Sequence, residues 1–190
     1  IFRNRSGFLW PTAVVNLVHF HLWLGSLCIF ISVEAIADGL HCDKFASVAA
    51  DPYRQAPAVA YKDIVGPAVI RYCLAAIDRD PNNGRFWLQL GRGYLKQDLG
   101  IKMLDAFERS RALRYPAAIF ALAVVYHTGN GIAQSSGHDA ERLYKEAYQK
   151  GIGYAALGLA RLYAEHGSPF YDEKKSILWQ VRFDEFQMEN

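Results

Sequence analysis

Apolar positions change their rhythm twice along this chain. From Phe8 to Val33 it reads FLWPTAVVNLVHFHLWLGSLCIFISV, twenty-six residues without an Asp, Glu, Lys or Arg. As a helix this run would be about 39 Å long, against roughly 30 Å for the hydrocarbon core of a bilayer, so it is long enough to span a membrane with some tilt. Residues 34–65 carry Asp51-Pro52 and Pro57, with Gly66-Pro67 just beyond, and show no sustained helical period apart from a short run around Cys42 to Ala50. They read as a connector laid over the helical body of the chain. From Pro67 the pattern turns helical, with Val69, Ile70, Cys73, Leu74 and Ile77 sharing one face.

Asp80-Pro81-Asn82-Asn83-Gly84 stops that first helix, and further helices are predicted over about 85–97 and 100–113. Pro116 opens the next as a favourable first-turn residue, and Gly129-Asn130-Gly131 closes it. Ser136-x-x-Asp139 is a capping box before a helix that ends at Lys150-Gly151, and another helix covers about 154–166. A last apolar face of Ile177, Leu178 and Val181 predicts a terminal helix that caps the body, with Asp172 and Glu173 near its start and Arg182 near its end.

One spacing recurs three times: Leu90-Gly91-x-x-Tyr94, Leu122-Ala123-x-x-Tyr126 and Leu159-Ala160-x-x-Tyr163. A small residue between two bulky ones lets a neighbouring helix approach closely. Hairpins of this size cannot bury their own apolar faces and close a core only by leaning on one another. Trp87-x-x-Leu90-Gly91-x-x-Tyr94, preceded by Ala76-Ile77-Asp78-x-Asp80-Pro81, resembles the tetratricopeptide signature. The later units are more similar to Sel-one-like repeats: Tyr126-x-x-Gly129-x-Gly131-Ile132 followed by Ala140, Tyr144, Ala147 and Gly151, then Tyr154-Ala155-Ala156 to Tyr163-x-x-x-Gly167. The resemblance covers roughly residues 67–180. It implies an all-α fold, an α-solenoid of stacked antiparallel helix pairs, and adaptor or assembly roles without a shared catalytic residue. Ala stands where the family has Gly at 123 and 160, and the units are spaced unequally, by 32 and 37 residues, which leaves the repeat boundaries open. The expected organisation is a transmembrane anchor at 1–33, a connector at 34–65 and a helical-repeat domain at 66–190.

A cleaved signal peptide is the competing reading of the first segment, because Arg3 and Arg5 resemble its basic start and Ala35-Ile36-Ala37 a cleavage site. The apolar run exceeds the 7–15 residues usual for such a peptide, so an uncleaved anchor is expected. Arg3 and Arg5 precede the run, while Glu34, Asp38 and Asp43 lie beyond it. This asymmetry favours a cytoplasmic N-terminus, with the repeat domain in the periplasm or an equivalent extracytoplasmic space. In an oxidising compartment Cys42 and Cys73 are natural disulfide partners; the alternative is two buried thiols. Lys and Arg number 21 against 19 Asp and Glu, so no strong field argues for nucleic acid as a partner.

Chemistry is sparse. Asp78-x-Asp80-x-Asn82-Asn83-Gly84 resembles a calcium loop only superficially, with a proline inside and Gln89 where a bidentate glutamate belongs. Ser135-Ser136-Gly137-His138-Asp139 gathers nucleophile, base and acid in one short run, whereas catalytic triads are assembled in space. No metal site and no enzymatic activity are expected. Asn16, His19 and His21 lie within the apolar run, where polar side chains tend to face a partner helix, a cavity or a ligand. The expectation is contact with other transmembrane helices alongside membrane lipid and no obligate cofactor; the sharper alternative is a tetrapyrrole held at His19 or His21.

With Trp87, Leu90, Gly91 and Tyr94 as core, the opposite side of the same helix carries Arg85, Gln89, Arg92 and Lys96. Phe120, Val124 and His127 stand on the equivalent face of the next unit, and Arg161 and Glu165 on that of the third. A basic stripe merging into an apolar patch would suit an extended protein segment with acidic residues or a carboxylate end; the bland alternative is a solvated face. The expected function is a non-catalytic, membrane-anchored adaptor that binds or assembles protein partners at the membrane surface. The alternative is an accessory structural subunit of a multisubunit energy-converting or photosynthetic membrane complex.

Overall fold

A computed structural model describes residues 33–132 and 134–189, with side chains from residue 39 onward, and the regular structure among them is entirely helical. The expected anchor, with Asn16, His19 and His21, falls outside the described residues. No described helix is long and apolar enough to cross a membrane.

The helices are α1 (Val33–Ala46), α2 (Gly66–Arg79), α3 (Gly84–Lys96), α4 (Gly100–Ala112), α5 (Pro116–Thr128), α6 (Gly137–Gln149), α7 (Tyr154–Ala164) and α8 (Glu173–Glu189). A single 3-10 turn, Tyr61–Asp63, interrupts the segment between α1 and α2. Pro116 stands in the first turn of α5, where its missing N–H costs nothing, and Gly129 ends the helix at φ 72°. Ser136 caps α6 by accepting the Asp139 N–H at 3.2 Å, while its hydroxyl donates to Asp139 Oδ2 at 2.8 Å.

Each helix packs on its successor, and α1 on α3, α3 on α5 and α5 on α7 lie side by side. Two buried clusters result. Cys42, Val69, Cys73, Ile77, Phe86 and Leu90 form one around α1 to α3, and Leu88, Met103, Phe107, Leu122, Leu143, Tyr144, Leu159 and Tyr163 form the other around α3 to α7. All three leucines of the recurring spacing are buried. At Gly91 a Cβ would stand 2.3 Å from the Phe107 ring, so the absence of a side chain is what lets α4 lie so close to α3.

Two sequence readings are corrected. The residues read as a connector begin with helix α1, whose buried positions are Cys42, Asp43 and Ala46. Its packing stripe is made of small and polar residues, so it carries little hydrophobic period. The face expected to seat the terminal helix is turned outward, with Ile177, Leu178 and Val181 58%, 49% and 47% exposed. Aromatic side chains seat α8 instead: Trp179 stands edge-on to Tyr148 at 5.2 Å, and Phe183 meets Tyr154 at 5.4 Å. Ser176 Oγ adds a bond to the Ala160 carbonyl at 3.0 Å. Rings bury more apolar area each and offer edge-to-face geometry, which decides between two possible apolar faces.

Candidate partner-binding face

The residues between α1 and α2, 47–65, form a strap across α3. Its side chains at Pro52, Tyr53, Arg54, Gln55, Pro57, Tyr61, Lys62 and Asp63 are exposed. The strap is held largely by its main chain. Arg92 donates from Nη1 to the carbonyls of Ala46 and Ser47 at 2.6 and 2.7 Å, and from Nη2 to that of Val59 at 2.9 Å. A planar guanidinium with five donors can hold three carbonyls at once, which a lysine ammonium at the end of a flexible stem does poorly. Burial pushes the Arg92 guanidinium down to about 10, still charged at neutral pH. Lys96 Nζ reaches the carbonyls of Tyr61 and Lys62 at 3.3 and 3.4 Å and lies 4.9 Å from the Tyr61 ring centre.

Arg85 and Gln89 are engaged from α1. Arg85 donates from Nε and Nη2 to the two carboxylate oxygens of Asp43 at 2.7 and 3.2 Å, and Gln89 Nε2 donates to Asp43 Oδ1 at 2.8 Å. A bidentate arginine is the arrangement that best offsets the desolvation of a buried carboxylate. A disulfide between Cys42 and Cys73 ties the end of α1 to the middle of α2 and so brackets the strap. By loop entropy a closure of this length contributes roughly 3–4 kcal/mol.

The four polar residues read as an open stripe on α3 therefore hold the chain's own α1 and strap. Nothing in the local pattern of α3 marks this, because their partners lie 33 to 46 residues away in sequence.

Near its start the strap reaches Tyr115, the residue before α5. Tyr115 donates from its hydroxyl to Asp51 Oδ2 at 2.6 Å, and the Tyr53 N–H donates to Asp51 Oδ1 at 2.9 Å. Burial raises the Asp51 carboxyl above the ordinary range, outweighing both bonds, and raises the Tyr115 phenol as well. The sequence does not mark this pair, since Asp51-Pro52 falls in the stretch that reads as a connector and Tyr115 lies 64 residues away.

Along α5 and α7 the face is less covered. Phe120 and Val124 are half-buried, with the Phe120 ring 5.9 Å from that of Tyr144. His127 bridges helices: Nδ1 lies 3.1 Å from the Tyr144 hydroxyl and Nε2 2.7 Å from Glu165 Oε1. Burial lifts the Tyr144 phenol above its ordinary value. Arg161 is exposed and makes no hydrogen bond or ion pair among the described residues. Of the nine residues expected on a partner-binding face, Phe120 and His127 meet Tyr144 and Glu165 meets His127, while Arg85 and Gln89 hold Asp43 of α1 and Arg92 and Lys96 hold carbonyls of α1 and the strap.

Of the remaining groups of shifted protonation, Asp139 and Asp172 are bonded within their own helix turns and one pair, Tyr163 with Glu141, is bonded across helices. Tyr163 donates to Glu141 Oε1 at 2.5 Å, beside Lys145 at 2.6 Å. The histidine of the Ser135–Asp139 run, His138, packs edge-on against Phe170. A depression of about 440 Å³ bordered by Pro52, Arg54, Gln55, Ala56 and Pro57 is open loop surface on the strap. Among the described residues no three His, Cys, Asp or Glu side chains come together as metal ligands. Compared with protein-family models, curated proteins and solved structures, the chain matches none.

Proposed function

We propose that this chain is a non-catalytic, membrane-anchored adaptor whose helix pairs stack as an α-solenoid of tetratricopeptide and Sel-one-like repeats and whose inner face takes protein partners. The observation that carries the reading is the row α3, α5, α7, side by side, with the face of α3 already holding a stretch of polypeptide through Arg92 and Lys96. A surface that binds main chain in this way has the chemistry of peptide recognition. The non-catalytic part of the reading is supported by the pairing of Asp51 with Tyr115 and Glu141 with Tyr163, which uses these groups as braces between elements. The Cys42–Cys73 disulfide supports an oxidising, extracytoplasmic compartment for the repeat domain, in keeping with the basic residues ahead of the apolar run. Its partners would be proteins, including other transmembrane helices, in a lipid setting.

One observation favours the second reading, an accessory subunit built permanently into an energy-converting or photosynthetic complex. Ile177, Leu178, Val181 and Met188, the last 80% exposed, leave α8 with an outward apolar side. Obligate interfaces are more apolar than transient ones. Gentle detergent extraction from the native membrane, native-gel separation, an absorption spectrum and mass spectrometry of the band distinguish the two. Migration alone or with one soluble partner is the adaptor's result. Stable comigration with a large pigmented or redox-active assembly overturns it in favour of the subunit and brings His19 and His21 forward.

A further inference from the structure

The outward side of α8 carries a spacing of its own. Lys174, Leu178, Val181, Glu185 and Met188 follow one another at intervals of four, three, four and three residues, and all five are exposed. That alternation is the seam of a coiled coil, whose hydrophobic positions repeat on average every 3.5 residues. Ile177, 58% exposed, lies beside the seam and widens its apolar middle. Trp179 and Phe183, which seat α8 on the body, lie on the other side of the helix. Charges off the seam are used within the chain. Lys175 Nζ meets Asp172 at 3.2 Å, Gln180 Nε2 donates to Asp184 at 2.9 Å, and the Arg182 guanidinium lies 4.7 Å from the Trp179 ring centre. Lys174 and Glu185, both on the seam, form no ion pair among the described residues.

Going beyond the adaptor reading, we infer that this seam pairs with the α8 of a second copy of the chain, antiparallel, across a two-fold axis. The charges select both the occupant and its direction. Two antiparallel copies centred between Leu178 and Val181 set Leu178 of each on Val181 of the other, and the same register sets Lys174 of each against Glu185 of the other. One alignment therefore satisfies the apolar and the charged positions together, and does so on both sides of the axis, as an isologous contact requires. A parallel pair would set Lys174 against Lys174 and Glu185 against Glu185, and like charges facing across a seam are destabilising. A match between the two ends of one helix serves a second copy of that helix and is not required by a foreign subunit. Lys174 to Glu185 spans about 16 Å along the helix axis, so the contact is small and the dimer is expected to dissociate on dilution.

The test is sedimentation equilibrium of the full chain in density-matched mild detergent, over a series of concentrations and at low ionic strength, where the seam charges are least screened. A monomer–dimer equilibrium is expected. Lys174→Glu and Glu185→Lys each set like charges face to face and are expected to weaken the dimer about tenfold or more. The double variant restores opposite charges and is expected to return to near the parent's dissociation constant. Both side chains are exposed, so melting midpoints taken at dilutions where the parent is monomeric are expected to stay unchanged, which separates lost contact from lost fold. A parent that stays monomeric at every concentration overturns the inference and leaves the face to a foreign subunit. A dimer indifferent to the single swaps, or one that the double swap fails to restore, overturns it as well. So does an open series of larger assemblies, which an isologous contact cannot build. The adaptor reading is decided separately, by what accompanies the chain on the native gel.

Discussion

Arg92 and Val59 join α3 to the strap, the guanidinium Nη2 donating to the strap carbonyl at 2.9 Å, while Nη1 of the same side chain serves Ala46 and Ser47. One side chain therefore collects three carbonyls from two places in the chain. Truncating it leaves those carbonyls without their shared donor. Arg92→Ala is expected to cost about 2–4 kcal/mol, on the scale of charged hydrogen bonds lost from a desolvated site. A urea melt gives the loss, and limited proteolysis should show new cleavage within 47–65. An unchanged midpoint with the strap still protected would mean that Asp43, Asp51 and the disulfide hold it without Arg92.

Packing at the recurring spacing gives a paired expectation. Leu122→Ala removes a fully buried side chain and is expected to cost about 2–5 kcal/mol. Gly91→Ala does the opposite, adding a methyl 2.3 Å from the buried Phe107 ring, with an expected cost of about 1–3 kcal/mol. Thermal melts of both variants check this. A Gly91→Ala protein as stable as the parent would show that α4 can retreat from α3 without loss.

Ser47 presents the reverse situation. Its hydroxyl is fully buried and has no hydrogen-bond partner among the described residues. A buried donor left unmade costs about 1–3 kcal/mol, so Ser47→Ala is expected to raise the melting midpoint. A fall in the midpoint would reveal that the hydroxyl is satisfied after all.

Acid stability contains two opposed contributions. Burial holds the Asp51 carboxyl above its ordinary value of 3.8. Folded protein therefore binds that proton more readily than unfolded chain. Its contribution is fully present below the unfolded value and is lost as pH rises through the folded one. Glu141, lowered first by the Lys145 bond and then by Tyr163, and Asp139, lowered by Ser136 and Arg142, behave the other way. Their contributions are present above the unfolded values and are lost as pH falls through the folded ones. Asp51→Asn removes only the first effect, so the stability of the variant relative to the parent is expected to rise as pH increases from 3.8 through the raised folded value. Urea midpoints across that range measure it, and a constant difference would place Asp51 outside the titration.

The anchor expectation for residues 8–33 has its own check. After high-salt and carbonate washing the full chain is expected to remain with the membrane. Release of a shortened protein beginning near Asp38 would identify a cleaved leader.

Local signals in the sequence were enough for α2 to α7, because each helix is bounded by residues whose backbone physics is self-contained. Pro116 suits the first turn of a helix, Gly129 can end one at positive φ, and Ser136 caps within its own turn. The period also identified which residues share a side of each helix. It could not say which side meets the body. On α8 the set Ile177, Leu178, Val181 and the set Trp179, Phe183, Phe186 are both contiguous stripes, and only contact with Tyr148 and Tyr154 selected the second. On α1 the stripe of Cys42, Asp43 and Ala46 is too small and polar to register as a period at all.

The candidate site divides along the same line. The sequence by itself determined that Arg85, Gln89, Arg92 and Lys96 share one side of α3 and that Arg161 recurs at the position of Arg92, since both result from helical spacing. Only the tertiary structure decided that the α3 residues are taken up by the chain's own α1 and strap. That outcome rests on carbonyls and a carboxylate brought from 33 to 46 residues upstream, as the contact of His127 with Glu165 rests on residues 38 apart. Hydrogen bonds across such separations depend on where the chain returns in space, which no local spacing encodes.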